Sequence, residues 1–325
     1  MEQVRLEKPP RLLFLTHIMA RPIIIDCDPG VDDAIAILLA LAHPTKLNIL
    51  GITTVAGNVP LHYTSQNALK ICALANRGDI PVYAGCPRPM LRPLFTAADI
   101  HGTTGLQGTK LPEPTQSLMV QHAVAFLIDT LQQATEPVTL ATLGPLTNIA
   151  IALVQAPQIA SKIDTIIAMG GAITHGNVTP AAEFNIYVDP HAAQVVLESG
   201  IPIKLITLDT THQVLTTPER LDTFRQLHTP IGDATADLLA HYGTPDIERY
   251  GINGAPLHDP CVIAYLLKPE LFTFRSTYTT IDTTSPENLG RTVIDWWGRT
   301  GKPANTQVAE SVKSADIYTL LMESF

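Results

Sequence analysis

The chain has 325 residues, of which 46% are hydrophobic and 16% are charged, and its formal net charge at pH 7 is -9. A chain of this length and composition can bury a large core, which excludes disordered and fibrous proteins. The acidic balance, with no basic run to offset it, argues against nucleic acid or an anionic membrane as the partner. A small molecule is therefore the expected partner.

The cysteines and the N-terminus indicate a cytoplasmic protein. The four cysteines are widely spaced in apolar surroundings and form no CxxC pair, which favours reduced core thiols over disulfides or a zinc site. The apolar run "RLLFLTHIMA" is short and broken by His17, so it is a poor signal peptide and a poorer membrane span. We expect residues 1–20 to be an extension that is either disordered or the product of a start assigned too early.

From residue 21 to about residue 210, apolar β-branched runs alternate with segments of helical period. The predicted strands are "PIIID", "LNILGITTVAG", "IPVYAG", "VTLATLG", "DTIIAMGG" and "IPIKLITLD", and the predicted helices are 31–43, 60–77, 117–134, 145–155 and 190–198. This alternation predicts an α/β fold with a doubly wound, mostly parallel, Rossmann-like sheet.

The order changes after residue 210. Helices are predicted near 217–228, 231–243 and 259–267, and the stretches "FTFRSTYTTIDT", "GRTVIDWW" and "NTQVAES" then read as antiparallel strands. No linker separates this helical and antiparallel C-terminal part, so residues 21–325 are expected to form one domain. Residues 86–116 are rich in Pro, Gly and Thr and have little periodicity, which is typical of a functional loop.

The first strand and helix carry an unusual concentration of acid. Within "IIIDCDPGVDDAIAILLAL", residues 23–41, the carboxylates of Asp26, Asp28, Asp32 and Asp33 fall close together with no Lys or Arg among them. First-turn acids of the following helix would account for one or two of them. Four such groups disfavour folding through repulsion and desolvation unless a positive charge lies among them. The pattern therefore favours a hard divalent cation with oxygen ligands.

Six motifs, taken in their order along the chain, carry a family resemblance. The motifs "DCDPGVDDA", "ITTVAGN", "LGPLTNIA", "MGG", "GNVTPAAEFNI" and "HDPCVIAY" resemble those of the inosine-uridine preferring nucleoside hydrolase family, from about residue 22 to the end of the chain. The resemblance implies a Ca²⁺-dependent enzyme that cleaves the N-glycosidic bond of ribonucleosides to free base and ribose, in purine and pyrimidine salvage. It also implies a homodimer or a homotetramer.

The resemblance also assigns a metal site and a base. The matched Asp28, Asp33 and Asp259 are calcium ligands, together with the backbone carbonyl of Thr142. Asp28 has a second role as the general base for the calcium-bound water that attacks the anomeric carbon. Departure of the base leaves an oxocarbenium-like sugar, whose positive charge the carboxylates would stabilise.

Further residues follow from the same match. The ribose ligands are Asp32, Asn58, Met169, Asn177, Glu183 and Asn185. His258 matches a histidine that donates a proton to the leaving nitrogen, a role that suits a side chain titrating near neutral pH. The residues expected near the base are His101, His241, Tyr242 and Tyr250. Nothing in the sequence decides between a purine and a pyrimidine.

Two other functions fit parts of the pattern. An acidic DxD after a first strand also marks magnesium-dependent phosphohydrolases that form an aspartyl phosphate, but those need a Thr or Ser near the DxD and a downstream Lys, and "DCDPGVDD" offers Pro and Gly instead. A calcium-dependent protein that binds nucleosides without turnover would have the same ligands. An intact Asp28 argues against that reading, because loss of the general base is the simplest route from an enzyme to a protein that binds nucleosides without cleaving them.

Overall fold

The central element of the structure is an eight-stranded sheet. The structure is a computed structural model and describes residues 20–242, 251 and 253–325. The described strands are β1 (Arg21–Cys27), β2 (Leu47–Thr54), β3 (Val82–Ala84), β4 (Val138–Thr142), β5 (Ile163–Met169), β6 (Ile203–Ile206), β7 (Leu215–Thr216), β8 (Ala255–Pro256), β9 (Phe272–Thr277), β10 (Thr279–Ile281), β11 (Thr292–Ile294) and β12 (Thr306–Val312). The main sheet has the order β3-β2-β1-β4-β5-β6-β12-β9, and β7–β8 and β10–β11 form separate antiparallel pairs.

Helices cover both faces of this sheet. They are α1 (Val31–Leu41), α2 (Leu61–Leu74), α3 (Ala98–His101), α4 (Ala123–Gln133), α5 (Thr147–Gln155), α6 (Phe184–Val188), α7 (Pro190–Leu197), α8 (Leu208–Thr211), α9 (Pro218–Arg225), α10 (Pro230–His241), α11 (Pro260–Leu267) and α12 (Ser314–Ser324). Two short 3₁₀ helices span Pro157–Lys162 and Pro269–Leu271. None of the helices in the described ranges is long and apolar enough to cross a membrane.

The first βα unit is buried throughout. Six of the seven residues of β1 are buried, because β2 and β4 flank the strand and helices cover its faces. All eleven residues of α1 are buried as well, including its two first-turn acids, and the helix packs against α2, α10 and α11. Asp32 and Asp33 are therefore not the solvated caps of a surface helix, and their charges require an explanation inside the protein.

The strand order reverses between β1 and β4, because β2 and β3 extend the sheet in one direction and β5 and β6 in the other. Ligands bind beyond the carboxyl ends of parallel strands at such a switch point. The residues that follow β1, β2, β4 and β5 include Asp28, Asn58, Leu143 and Gly170, and all four lie at this edge. The topology thus brings Asp28 and Asn58 to the same edge as residues from two distant parts of the sequence.

The structure confirms the predicted fold class and corrects two details. The stretch "NTQVAES" contributes β12, which pairs in parallel with β6 and antiparallel with β9, and so extends the main sheet. Alternating polarity indicated a strand but could not give the direction of its neighbours. The C-terminal helix Ser314–Ser324 was not predicted. The predicted extension 1–20 lies, except for residue 20, outside the described residues.

Candidate active site

A cavity of about 170 Å³ lies at the carboxyl edge of the sheet. Its wall combines acids and amides from the strand ends with a strip of apolar side chains: Asp32, Asn58, Phe95, Thr96, Ala97, Asp99, Ile100, His101, Leu143, Met169, Asn177, Val178, Glu183, Phe184, Asn185, Tyr242, His258 and Asp259. Six of the wall residues come from 95–101, within the segment predicted to be a functional loop. None of the described wall residues is Lys or Arg.

Three buried carboxylates meet at one end of the cavity. Asp32, Asp33 and Asp259 each have a ligand oxygen within 4.8 Å of the others. Burial, followed by the charge of Asp32, raises the pKa of Asp33 to about 7. Burial and the neighbouring acids raise the pKa of Asp259 well above its usual range. Such a group of oxygens suits a cation, which would remove the repulsion.

Asp28 lies beside this cluster in a slot between two glycines. A Cβ atom on Gly57 would lie 2.0 Å from Asp28 Oδ2, and one on Gly144 would lie 2.3 Å from Oδ1. The main-chain N–H of Asn58 donates to Asp28 Oδ2 at 2.7 Å, whereas the buried Oδ1 has no hydrogen-bond partner among the described residues. Burial and then the charge of Asp33 raise the pKa of Asp28 well above its usual range. One carboxylate oxygen is thus fixed and the other is left for a ligand.

The fourth acid of the first motif belongs to a different network. Asp26 Oδ1 accepts hydrogen bonds from the Thr53 hydroxyl at 2.5 Å and from the Asn148 side-chain amide at 2.8 Å. Neither Asp26 nor Asp28 is in the group of close ligand oxygens that the described residues form, but the charge of Asp33 helps to raise the pKa of Asp28, whereas burial alone raises the pKa of Asp26. Asp28 therefore lies beside the cluster that includes Asp32 and Asp33, and Asp26 is a separate buried carboxyl. Thr142 ends β4 opposite Asp26 and is buried one residue before Leu143 of the cavity wall.

All six residues predicted to bind ribose line the cavity: Asp32, Asn58, Met169, Asn177, Glu183 and Asn185. Glu183 accepts main-chain hydrogen bonds from Gly171 at 2.8 Å, Asn185 at 2.9 Å and Ile186 at 3.2 Å, and burial raises its pKa to about 7. The Asn185 amide donates to the carbonyls of Leu143 at 2.7 Å and Met169 at 3.2 Å. These bonds hold the side chains in place before any ligand arrives.

His258 lines the cavity next to Asp259 and is 6% exposed. Its Nδ1 lies 2.7 Å from the Thr211 hydroxyl. Burial lowers the pKa of His258 to about 4, an effect that the charge of Asp32 only partly offsets. The sequence predicted titration near neutral pH, whereas burial by distant parts of the chain shifts the pKa of His258 downward. Its role as a proton donor stays a prediction.

Two of the four residues predicted to lie near the nucleobase are in the cavity wall. His101 and Tyr242 line the cavity with their rings 5.3 Å apart, and the Tyr242 hydroxyl is hydrogen-bonded to Asp32. His241 is exposed, with its Nδ1 3.1 Å from the carbonyl oxygen of Asp237, and is not part of the wall. The prediction for Tyr250 lies outside the described residues.

The apolar strip of the wall was missed at the sequence level. Phe95 and Phe184 lie with ring centroids 6.3 Å apart, and Ile100 and Val178 extend the same strip. Phe184 stood inside the recognised motif "GNVTPAAEFNI" and Phe95 inside the loop 86–116, but no periodicity marked either one. The cavity thus has an acidic end and an aromatic side, which suits a ligand with a polar part and a flat apolar part.

Comparison with known proteins gives a consistent result. The profile of the inosine-uridine preferring nucleoside hydrolase family matches residues 23–319. A pyrimidine-specific ribonucleoside hydrolase RihA of Shewanella baltica is 48% identical over 307 residues, which cover 94% of this chain and 96% of the relative. RihA of Photobacterium profundum is 47% identical over 306 residues, covering 94% and 98%.

Solved structures agree with the sequence relatives. A purine-preferring ribonucleoside hydrolase from Gardnerella vaginalis superposes with a TM-score of 0.87 at 33% identity, covering 94% of this chain and 98% of that one. The sequence match, the fold and the positions of the motif residues around one cavity all lead to the same assignment. The chain belongs to the inosine-uridine preferring nucleoside hydrolase family.

Proposed function

We propose that the protein hydrolyses the N-glycosidic bond of pyrimidine ribonucleosides, releasing the base and ribose, with a calcium ion at the carboxylate cluster. The observation that carries the proposal is the meeting of Asp32, Asp33 and Asp259 beside Asp28 at the end of a small cavity. Buried carboxylates need compensating charge, and the described wall contains no Lys or Arg to supply it. Membership of a nucleoside hydrolase family supplies the reaction.

The donor set fits a hard divalent cation. Every close ligand atom in the cluster is a carboxylate oxygen, and the buried Oδ1 of Asp28 has no hydrogen-bond partner in the described structure. We assign Asp28, Asp33, Asp259 and the Thr142 carbonyl as ligands. Asp32 lies close enough to contact either the ion or a sugar hydroxyl. When bound, the ion would offset the repulsion among the acids and lower the pKa of water at the site.

The two oxygens of Asp28 have different tasks in this proposal. Oδ2 accepts the Asn58 N–H, which fixes the carboxylate plane, and Oδ1 takes a proton from the attacking water. The water oxygen bonds to the anomeric carbon as the bond to the base breaks with its electron pair. Positive charge that develops on the sugar is stabilised by the surrounding carboxylates. No covalent sugar intermediate is required.

The amides and Glu183 bind the sugar. A ribose hydroxyl that enters the cavity loses its water partners and needs a replacement for each. Asn177, Glu183 and Asn185 supply acceptors and donors whose positions are set by main-chain hydrogen bonds, such as the one from the Phe184 N–H to Asn177 Oδ1 at 2.9 Å. Because these groups do not need to reorganise, their binding energy contributes to the transition state.

Relatives support a pyrimidine as the base. The proteins named pyrimidine-specific are 47–48% identical to this chain, whereas the structurally similar purine-preferring enzyme is 33% identical. Phe95 and Phe184 offer aromatic surface on which a base ring can lie, but such surface accepts either kind of base. The preference is therefore proposed from the relatives, and the role in nucleoside salvage follows from it.

The test is the release of base and reducing sugar from uridine, cytidine, inosine, adenosine and guanosine, with and without a calcium chelator. We expect the two pyrimidine nucleosides to be cleaved fastest, with activity lost on chelation and restored by calcium. Faster cleavage of a purine nucleoside would overturn the base preference alone. Tight binding without release by folded, calcium-loaded protein would overturn the hydrolase and favour a nucleoside-binding protein.

Three further expectations stay proposals. Residues 21–325 are proposed to form one domain, the subunits to assemble as a homodimer or a homotetramer, and the protein to act in the cytoplasm. Light scattering on the purified protein would measure the mass of the assembly. A mass of one chain at micromolar concentration would contradict the second of these proposals.

A further inference from the structure

The ring of His258 is held on the side away from the cavity by Thr211. Thr211 is the last residue of the short helix α8 and is fully buried. Its hydroxyl oxygen lies 2.7 Å from His258 Nδ1. Because His258 also lines the cavity, the ring nitrogen that remains for a ligand is Nε2.

The direction of this hydrogen bond follows from the acceptors around Thr211. A hydroxyl has one proton to donate, and the described structure offers it two acceptors: His258 Nδ1 at 2.7 Å and the Leu208 carbonyl at 3.4 Å. That carbonyl already accepts the main-chain N–H of His212 at 2.8 Å, so it does not need the hydroxyl. The shorter contact takes the proton, since hydrogen bonds weaken steeply at longer distances. An uncharged imidazole that accepts at Nδ1 carries its own proton on Nε2.

We propose that Thr211 is a positioning residue that fixes His258 as the Nε2–H tautomer and so aims an N–H donor at the leaving base. The inference rests on the proposed function, in which the base leaves from this cavity. As the bond between the anomeric carbon and the base breaks, its electron pair moves onto the base. His258 stabilises that charge with a hydrogen bond and keeps its proton, and the released base takes a proton from water.

The contact with Thr211 decides what His258 presents to the cavity. A ring that accepts the Thr211 hydroxyl at Nδ1 presents an N–H donor at Nε2, whereas the opposite tautomer presents an acceptor there. With the opposite tautomer, a lone pair would face the developing negative charge and oppose bond cleavage. The contact with Thr211 is therefore expected to change the rate of cleavage more than the binding of the nucleoside.

The test compares Thr211→Val with Thr211→Ser on two substrates. Valine matches threonine in shape but cannot donate, whereas serine keeps the hydroxyl. Uridine has a leaving group that needs stabilisation, and p-nitrophenyl β-D-ribofuranoside has one that leaves readily without it. We expect Thr211→Val to lower kcat on uridine by roughly 10- to 100-fold with KM little changed, and to leave kcat on the nitrophenyl riboside within about 2-fold. Thr211→Ser should keep both rates near those of the wild type.

Other outcomes would overturn the proposal. Equal losses of kcat on both substrates would show that Thr211 has only a structural role. An unchanged kcat on uridine would show that the contact with His258 does not affect cleavage. A wild-type protein that cleaves neither substrate would contradict the proposed function instead. The tautomer can then be read directly from ¹⁵N NMR of the His258 ring, assigned by comparison with His258→Gln. A protonated Nδ1 in the wild-type protein would overturn the inference independently of any activity.

Discussion

The main-chain N–H of Asn58 donates a 2.7 Å hydrogen bond to Asp28 Oδ2. The side-chain amide of the same residue reaches the Asp28 carbonyl at 3.2 Å and Asp33 Oδ2 at 3.0 Å. Asn58 therefore ties together two of the proposed calcium ligands, although it lies on a different strand end from either of them. Residues that orient ligands in this way are as much a part of a metal site as the ligands.

We expect Asn58→Ala to weaken calcium binding by roughly 10- to 100-fold, because both amide bonds are lost while the main-chain bond to Asp28 remains. Isothermal titration with calcium, after chelator treatment, measures the change. Asn305→Ala is the matched control, since the Asn305 amide bonds to the Thr279 carbonyl at 2.9 Å and makes no contact with the carboxylates. Equal calcium affinities in Asn58→Ala and in the wild type would contradict the role given to this amide.

The slot around Asp28 gives a second prediction. A Cβ atom on Gly57 would lie 2.0 Å from Asp28 Oδ2, so Gly57→Ala must displace the carboxylate that is proposed to act as the base. A shift of about 1 Å in a catalytic group can cost about 100-fold in rate, and we expect kcat on uridine to fall by at least that factor. In Gly78→Ala the nearest atom would be the Thr115 hydroxyl oxygen at 3.8 Å, so this control should keep full activity.

Two acids of the first motif, Asp33 and Asp26, are predicted to differ in function. Asp33→Asn removes one of the proposed ligand charges and should weaken calcium binding by at least about 100-fold. Asp26→Asn should leave calcium affinity within about 3-fold, because Asp26 is bonded to Thr53 and Asn148 and no neighbouring acid contributes to its pKa. Calcium titrations of the two variants make the comparison. A similar loss of affinity in both would mean that Asp26 belongs to the metal site.

The separation of Asp26 from the other acids of the first motif could not be predicted from the sequence. Spacing along a strand places Asp26 and Asp28 on one face, which led to the expectation of a single group of four acids. The strand β1 ends at Cys27, so Asp28 lies beyond the regular pleat and turns toward Asn58 instead. Where a strand ends depends on its neighbours in the sheet, and these come from residues more than twenty positions away.

The fold and the motif residues were predictable because each has a local signature: alternating apolar runs for the sheet, and acid-rich or amide-rich turns after the strands. The environment of His258 had no such local signature in the sequence. Its partner Thr211 is 47 positions away, and the burial that lowers its pKa comes from several elements at once. Phe95 was missed for a related reason, since a loop side chain acquires its role from the wall opposite it.

The last prediction concerns pH and Glu183, whose pKa burial raises to about 7 from about 4.5. Between these values the folded protein binds this proton more tightly than the unfolded chain does, so the free energy of unfolding should fall as the pH rises from 5 to 7. The contribution of Glu183 to this fall is at most about 3 kcal/mol, since one pKa unit corresponds to about 1.4 kcal/mol.

Glu183→Gln has no carboxyl to titrate, so its stability should fall less over the same range than that of the wild type. Urea unfolding of both proteins at pH 5 and pH 7, with a chelator present to keep metal ions away, gives the four free energies required. The difference between the two pH effects isolates Glu183 from the aspartates, which titrate in both proteins. If the two proteins lost equal stability between pH 5 and pH 7, Glu183 would already be ionised in the folded state at pH 5. Its three main-chain hydrogen bonds would then outweigh the cost of its burial.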